Sequence, residues 1–135
     1  ARALADRLGD KGAVLGIESG QRAADARHYL ADFPRVRIEQ GKVESVLPRT
    51  GITEVDLIVL DPPRAGAGRD TVKHLASLRA RRIAYVACDP AALARDLGYF
   101  GENGYRVRML RAFDLFPMTH HVECVAILEP AAKGA

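Results

Sequence analysis

The stretch from residue 85 to residue 100, YVACDPAALARDLGYF, constrains the fold most because it joins a buried strand directly to a helix. Asp89 is a preferred N-cap residue, and Pro90 suits the first position of a helix. Apolar residues then recur at helical spacing, at Leu93, Leu97 and Phe100. Cys88 is therefore predicted at the carboxyl end of a strand, one residue before a helix N-cap. Open α/β sheets bind their ligands at that edge.

Cys88 is the first candidate for chemistry. The partial positive charge at a helix start favours the thiolate, which is the nucleophilic form of cysteine. A free cysteine also commonly packs as a small buried hydrophobic residue. This stretch alone leaves both interpretations open.

The remainder of the chain alternates predicted strands with predicted helices. Apolar runs predict strands at residues 13–17, 35–39, 55–60, 82–87, 105–110 and 121–128. Helical spacing predicts helices at residues 1–8, 19–30, 71–78 and 90–100. Residues 41–54 read as a loop with one helical turn at 43–47. Strands and helices alternate until the end of the chain, where two strands follow without a helix between them. We therefore expect an α/β fold. Its sheet should be doubly wound and mainly parallel, with an antiparallel pair at one edge.

Composition sets the broad class of the protein. The chain has 135 residues, of which 48% are hydrophobic and 27% charged, as in globular domains. We expect residues 1–130 to form one domain and 131–135 a tail. Two cysteines are too few for a disulfide scaffold, and no apolar run reaches the length of a membrane span. A cytoplasmic setting fits this cysteine usage, and the net charge of +3 is compatible with a nucleic-acid partner.

The sequence Asp61-Pro62-Pro63-Arg64 follows the predicted strand 55–60. Prolines lock the backbone and remove hydrogen-bond donors, so two in succession after a strand indicate a fixed shape. We expect them to hold Asp61 at the edge of the sheet, where the glycines at 66 and 68 permit a ligand to approach. A rigid turn from strand to helix is the alternative.

Two further carboxylates stand at predicted strands. Glu18 ends the strand 13–17, where an acidic residue can accept hydrogen bonds from ribose hydroxyls, or simply begin a surface loop. Glu123 falls within the apolar strand 121–128. Burial there is costly for a carboxylate and would raise its pKa toward the range of a general base. His120 and His121 are adjacent and would point to opposite faces of a strand, so we predict no metal site.

Three motifs together resemble the catalytic domain of a known family, the class I S-adenosylmethionine-dependent RNA 5-methyluridine methyltransferases, which modify tRNA or ribosomal RNA. The family has Asp-Pro-Pro-Arg-x-Gly, then Cys-Asn-Pro leading into a Leu-Ala-Arg-Asp helix, then Phe-Pro-x-Thr with His-x-Glu. These correspond in the same order to residues 61–66, 88–96 and 116–123 of this chain. The resemblance covers nearly the whole sequence.

The resemblance implies a Rossmann-like fold, S-adenosyl-L-methionine as cofactor and RNA as substrate. It implies that Cys88 adds to carbon 6 of uracil and that Glu123 removes the proton from carbon 5. Asp61 and Pro62 would border both the cofactor and the base, and Glu18 would hold the cofactor ribose. Arg64 would contact RNA or orient the site.

The chain departs from the family pattern at several places. Asp89 replaces the usual asparagine, Ala87 replaces the usual serine, and Lys42 stands where an acidic or polar residue commonly lies near the adenine. The adenine contact is therefore left unassigned. The first strand and its glycine-rich loop are not found either, so we expect a fragment whose sheet has a gap at that strand.

Two other functions compete with this one. A non-catalytic fragment, or a weak RNA-binding module, would explain the missing cofactor loop. A methyltransferase acting on exocyclic amino groups also places an acidic or amide residue before two prolines. Such enzymes usually continue with an aromatic residue and need no cysteine, so Arg64 and Cys88 argue against that alternative.

Overall fold

The structure is a computed structural model that describes residues 2–114, 118 and 122–132. The chain divides into two compact units, Ala1–Gly51 and Ile52–Ala135. No helix in the described part of the chain is long and apolar enough to cross a membrane.

The first unit contains a two-stranded parallel sheet and three helices. Its elements are, in order, α1 (Arg2–Arg7), β1 (Val14–Glu18), α2 (Arg22–Tyr29), β2 (Val36–Gln40) and α3 (Val43–Thr50). In the parallel ladder Val14 lies opposite Val36 and Glu18 opposite Gln40. The Nε of Arg27 donates a hydrogen bond of 3.0 Å to the carbonyl of Ile38, which ties α2 to β2.

Helix α3 is longer than the sequence predicted. Only one turn was expected at residues 43–47, yet the helix runs for eight residues and contains Pro48. Its inner residues Val46 and Leu47 are buried, and burial of an apolar face stabilises a short helix more than propensity does. The helix ends at Gly51, whose φ of 73° is the left-handed cap that glycine adopts without strain.

The second unit contains a four-stranded mixed sheet. Its elements are β3 (Leu57–Leu60), α4 (Arg69–Ser77), β4 (Arg82–Ala87), α5 (Pro90–Glu102), β5 (Tyr105–Phe113) and β6 (Glu123–Pro130). The strand order is β3-β4-β6-β5. Strands β3 and β4 are parallel, whereas β6 runs antiparallel to both of its neighbours. The predicted antiparallel pair at one edge is thus confirmed, with β5 outermost.

The core of this unit lies on one face of the sheet. Every second residue of β4 and β6 is buried, which is the period of two that a half-covered strand shows. The buried strand residues are Ile83, Tyr85, Ala87, Cys124, Ala126 and Leu128. The two helices contribute Val72 and Leu75 from α4 and Leu93 and Phe100 from α5. Cys124 therefore packs in the core.

Two sequence predictions about the strands are corrected. The strand predicted at 55–60, in the centre of the sheet, is observed as the shorter β3. Among the described strands, β3 pairs with β4 alone. Its outward residues Leu57 and Val59 are each 47% exposed. The last strand, predicted at 121–128, is described from Glu123 to Pro130, and His121 lies outside the described residues. The strands form two sheets, one in each unit, and the sequence analysis expected a gap in the sheet.

Candidate active site

The candidate active site lies at one edge of the second sheet. Because β3 and β4 are parallel, their carboxyl ends meet at the same edge, and the antiparallel β6 begins there. Asp61 is the first residue after β3, Cys88 is the first after β4, and Glu123 opens β6. Three of the predicted site residues therefore lie on three adjacent strand ends.

Cys88 and Glu123 come directly after the last pair of the ladder between β4 and β6. The ladder pairs Val86 with Val125 and then Ala87 with Cys124. The next residues in this antiparallel register are Cys88 on one strand and Glu123 on the other. Opposite residues in such a pair have Cα atoms roughly 4.5–5.5 Å apart and side chains on the same face. Both residues are partly buried, so each can meet a ligand at the edge.

The turn after Cys88 is built as predicted. Asp89 is the N-cap of α5, and its Oδ1 accepts hydrogen bonds from the backbone N–H of Ala91 at 2.9 Å and of Ala92 at 3.0 Å. Pro90 occupies the first turn, where its missing N–H is not needed. Asp89 thus binds these two donors of the helix start, and Cys88 is a free, partly buried thiol beside them.

Glu123 differs from its prediction in one respect. The sequence indicated a carboxylate inside an apolar strand, whereas Glu123 is the first residue of β6 and is only half-buried. It lies opposite Phe113 at the end of the ladder with β5. The reason is that β6 begins two residues later than the apolar pattern suggested. Glu123 is therefore partly open to solvent at the edge of the sheet.

The segment that begins at Asp61 is an ordered turn. Asp61 and Arg64 are exposed, and Pro62 is partly buried. The N–H of Gly66 donates a 2.8 Å hydrogen bond to the carbonyl of Pro63. The turn then contacts Asp96 of α5, a residue that the motif analysis matched to the family without giving it a role. Asp96 could have been noticed from sequence, because it lies four residues from both Ala92 and Phe100 on the apolar side of α5.

Glu18 is the last residue of β1, as predicted, and it is exposed. Its Oε1 accepts a 3.0 Å hydrogen bond from the backbone N–H of Gly20. An exposed carboxylate at the carboxyl end of a parallel strand has the chemistry that a ribose diol requires. Glu18 belongs to the first unit, whereas the other predicted site residues belong to the second. Its role toward a cofactor remains a prediction.

Among the described residues, no group of three or more histidine, cysteine or acidic side chains is arranged to hold a metal ion. The histidines His120 and His121 lie outside the described residues, as do Phe116 and Pro117 of the third motif.

The chain is similar to known RNA methyltransferases. A model of the tRNA (uracil-5-)-methyltransferase family matches residues 50–131. A protein named as an uncharacterized RNA methyltransferase of Streptomyces avermitilis is 85% identical over 135 residues, which are 99% of this chain and 31% of that protein. The chain thus spans less than a third of the length of this relative.

Two solved structures extend the comparison. The Pyrococcus abyssi tRNA (uracil-54, C5)-methyltransferase, solved in complex with S-adenosyl-L-homocysteine, is 33% identical with a TM-score of 0.75. That match covers 93% of this chain and 30% of the other. An S-adenosylmethionine-dependent O-methyltransferase of Thermotoga maritima shares the fold alone, with a TM-score of 0.72 at 16% identity, over 99% of this chain and 56% of that one. The Rossmann-like fold predicted from the motifs is confirmed, and the chain belongs to the tRNA (uracil-5-)-methyltransferase family.

Proposed function

We propose that the protein containing this chain methylates carbon 5 of uridine in tRNA or ribosomal RNA, with S-adenosyl-L-methionine as the methyl donor. The observation that supports the proposal is the register of β4 and β6, because the free thiol of Cys88 and the carboxylate of Glu123 come directly after the last pair of that ladder. A nucleophile beside a base is the pair that this chemistry requires. Family membership supports the same conclusion.

The cofactor fits the residues present. We propose that the exposed carboxylate of Glu18 holds the ribose hydroxyls, and that Asp61 and Pro62 border the cofactor next to the base. When bound, S-adenosyl-L-methionine supplies an electrophilic methyl group. Pro62 and Pro63 stiffen the backbone after β3, so Asp61 is held in place before any ligand arrives.

Cys88 begins the reaction. Its thiolate adds to carbon 6 of a uracil that has left the base stack, and a carbon–sulfur bond forms. The electrons of the former double bond between carbons 5 and 6 make carbon 5 nucleophilic, so that it would take up the methyl group from the cofactor sulfur, whose bond to that methyl group breaks and leaves S-adenosyl-L-homocysteine. Arg64, exposed after the prolines, contacts the RNA or orients this arrangement.

Glu123 completes the reaction. Its carboxylate removes the proton from carbon 5, and the electrons of that carbon–hydrogen bond restore the double bond between carbons 5 and 6. The carbon–sulfur bond breaks at the same time, so Cys88 leaves as a thiolate and is ready for another cycle. Because Glu123 is half-buried at the strand start, it can pass its proton to water.

With Cys88 free and Cys124 buried as a thiol, we propose a cytoplasmic location.

The experiment uses full-length protein, S-adenosylmethionine and RNA that carries tritium on carbon 5 of its uridines. Methylation at carbon 5 must release tritium to water in step with methyl transfer. Methyl transfer without tritium release would instead indicate an exocyclic amino group as the acceptor. Cofactor binding with no transfer to any tRNA or ribosomal RNA would favour the non-catalytic alternative.

A further inference from the structure

Asp96 is the one charged side chain that is fully buried among the residues that the structure describes. It lies on α5, seven residues beyond the N-cap Asp89. A carboxylate is rarely buried unless several hydrogen-bond donors surround it, because removing its charge from water is costly. Asp96 therefore needs an explanation that packing alone does not supply.

The donors to Asp96 come from three parts of the second unit. The hydroxyl of Tyr85 on β4 donates to Oδ2 at 2.5 Å. The backbone N–H of Ala67 donates to Oδ2 at 2.6 Å, and that of Gly68 to Oδ1 at 3.3 Å. The Nη2 of Arg95 donates to Oδ1 at 3.1 Å. One carboxylate thus links a strand, a helix and the turn that follows the Asp61 motif.

Arg95 strengthens the same link. Besides Asp96, its Nη2 donates a 2.6 Å hydrogen bond to the carbonyl of Ala65. The hydrogen bond with Asp96 raises the pKa of Arg95, so the guanidinium stays charged. Burial, followed by the hydrogen bond to Asp96, raises the pKa of Tyr85, so its hydroxyl stays a donor. Tyr85 and Arg95 are therefore both hydrogen-bond donors to Asp96.

The turn itself is shaped to lie against these two side chains. Gly66 has a φ of 85°, and a Cβ atom built there would lie 2.6 Å from both the Nη2 of Arg95 and the Oδ2 of Asp96. Only a residue without a side chain allows this approach. The fit is therefore close on both sides, since the helix supplies the charges and the turn supplies the space.

The hydrogen bonds around Asp96 connect two parts of the chain that each lie next to candidate site residues. Helix α5 begins directly after Cys88, and the turn at residues 65–68 follows directly after Arg64. Asp96 therefore joins helix α5, which follows Cys88, to the turn that follows the segment with Asp61 and Arg64. The helix and the turn are far apart along the chain, since the backbone hydrogen bonds to Asp96 span 28 and 29 residues.

We infer that Asp96 is a positioning residue that, with Tyr85 and Arg95, holds the Asp61–Arg64 segment at a fixed distance from Cys88. The inference rests on the proposed function. Small displacements of reacting groups have large effects on rate, since a shift of about 1 Å can cost roughly a hundredfold. Loss of the clamp should therefore slow the chemical step more than it weakens cofactor binding.

The test compares Asp96→Asn in the full-length protein with wild type and with Asp70→Asn, an exposed carboxylate on α4. Asparagine keeps the shape of the aspartate side chain, but it places an N–H₂ group against the backbone N–H donors of Ala67 and Gly68. RNA containing 5-fluorouridine is mixed with enzyme and S-adenosylmethionine, and covalent adduct is followed over time. The amplitude of adduct formation counts the folded active sites. The rate constant reports on the geometry of the site, and it would stay unchanged if Asp96 had a merely structural role.

We expect Asp96→Asn to lower the rate constant at least tenfold while cofactor affinity and Asp70→Asn stay at wild-type values. Tyr85→Phe removes one hydrogen bond, should fold normally and should slow the reaction a fewfold. A variant with reduced amplitude but an unchanged rate constant would overturn the inference. So would unchanged hydrogen exchange at the amides of Ala67 and Gly68 in Asp96→Asn.

The same exchange measurement separates this inference from the proposed function. If wild type forms no adduct, the proposed uridine chemistry fails, and the positioning role fails with it. Protected amides at Ala67 and Gly68 in that protein would then identify a structural clamp without a catalytic role. Adduct formation with normal rates in Asp96→Asn would overturn the positioning role alone.

Discussion

Ala87 and Cys124 form the last pair of the antiparallel ladder between β4 and β6, and this pairing determines the register of the candidate active site. Cys88 and Glu123 are the next residues in this register. A shift of one residue in either strand would turn one of the two side chains to the other face of the sheet. The buried alternation of Ala87, Cys124 and their neighbours opposes such a shift.

Glu123→Gln should block the last chemical step. The amide cannot remove the proton from carbon 5, and positioned general bases contribute roughly a hundredfold to ten-thousandfold to rate. We expect turnover to fall by at least about a hundredfold, and the Cys88 adduct to accumulate on ordinary, unfluorinated RNA. Denaturing electrophoresis detects the adduct. Glu129→Gln, on the same strand, is the control and should turn over normally, whereas normal turnover of Glu123→Gln would contradict its role as base.

Glu18→Ala should weaken cofactor binding with little effect on the thiol chemistry. Hydrogen bonds to a charged group contribute about 1.5–3 kcal/mol, which corresponds to a tenfold to hundredfold loss of affinity. Isothermal titration calorimetry with S-adenosylmethionine measures this loss. Glu39→Ala removes a carboxylate that pairs with Arg37 on β2 and should bind normally. Equal affinities of the two variants would show that Glu18 does not hold the ribose.

Two glycine substitutions should change stability in opposite directions. Gly66→Ala introduces a Cβ at a positive φ and against Asp96, so we expect a loss of about 2–4 kcal/mol in the free energy of unfolding. Gly98→Ala lies within α5, where an added Cβ meets nothing within 4 Å. It should gain about 0.5–1 kcal/mol from helix propensity. Chemical denaturation measures both, and a neutral Gly66→Ala would contradict the packing described for this turn.

Glu129 should give stability a defined dependence on acid. The hydrogen bond from Arg106 holds the pKa of Glu129 below its ordinary value of 4.5, with a further contribution from Arg108. Because the folded-state pKa is lower, this stabilisation is complete above pH 4.5 and is lost as the pH falls through the folded-state value. Glu129→Gln should therefore unfold with a shallower pH dependence below that point. Identical slopes for wild type and variant would contradict the ion pairs of β5 and β6.

The local chemistry of the sequence predicted some elements closely. Helix α5 begins at Pro90 because Asp89 caps it, and both signals lie within a few residues of each other. The order of strands and helices was predicted for the same reason, since apolar period and turn residues are local. The last three residues of helix α3 were missed because Pro48 opposes a helix locally, while burial of Val46 and Leu47 stabilises it.

The geometry of the site could not be read from sequence in the same way. That Cys88 and Glu123 come next to each other in the register depends on the pairing of Ala87 with Cys124, 37 residues further along the chain, which no local pattern specifies. Asp96 was placed within a family motif but given no role, because its donors at Ala67 and Gly68 lie far away along the chain. Nonlocal hydrogen bonds and strand register decide both arrangements.

The most direct test of the account is covalent capture of the substrate by Cys88. Full-length protein is incubated with S-adenosylmethionine and RNA containing 5-fluorouridine, because fluorine on carbon 5 cannot leave as a proton does. We predict an adduct that survives denaturing electrophoresis in wild type and in Cys124→Ala, whose cysteine is buried in the core, but not in Cys88→Ala. An adduct that persists in Cys88→Ala, or its absence from wild-type protein that binds the cofactor and this RNA, would contradict the covalent mechanism.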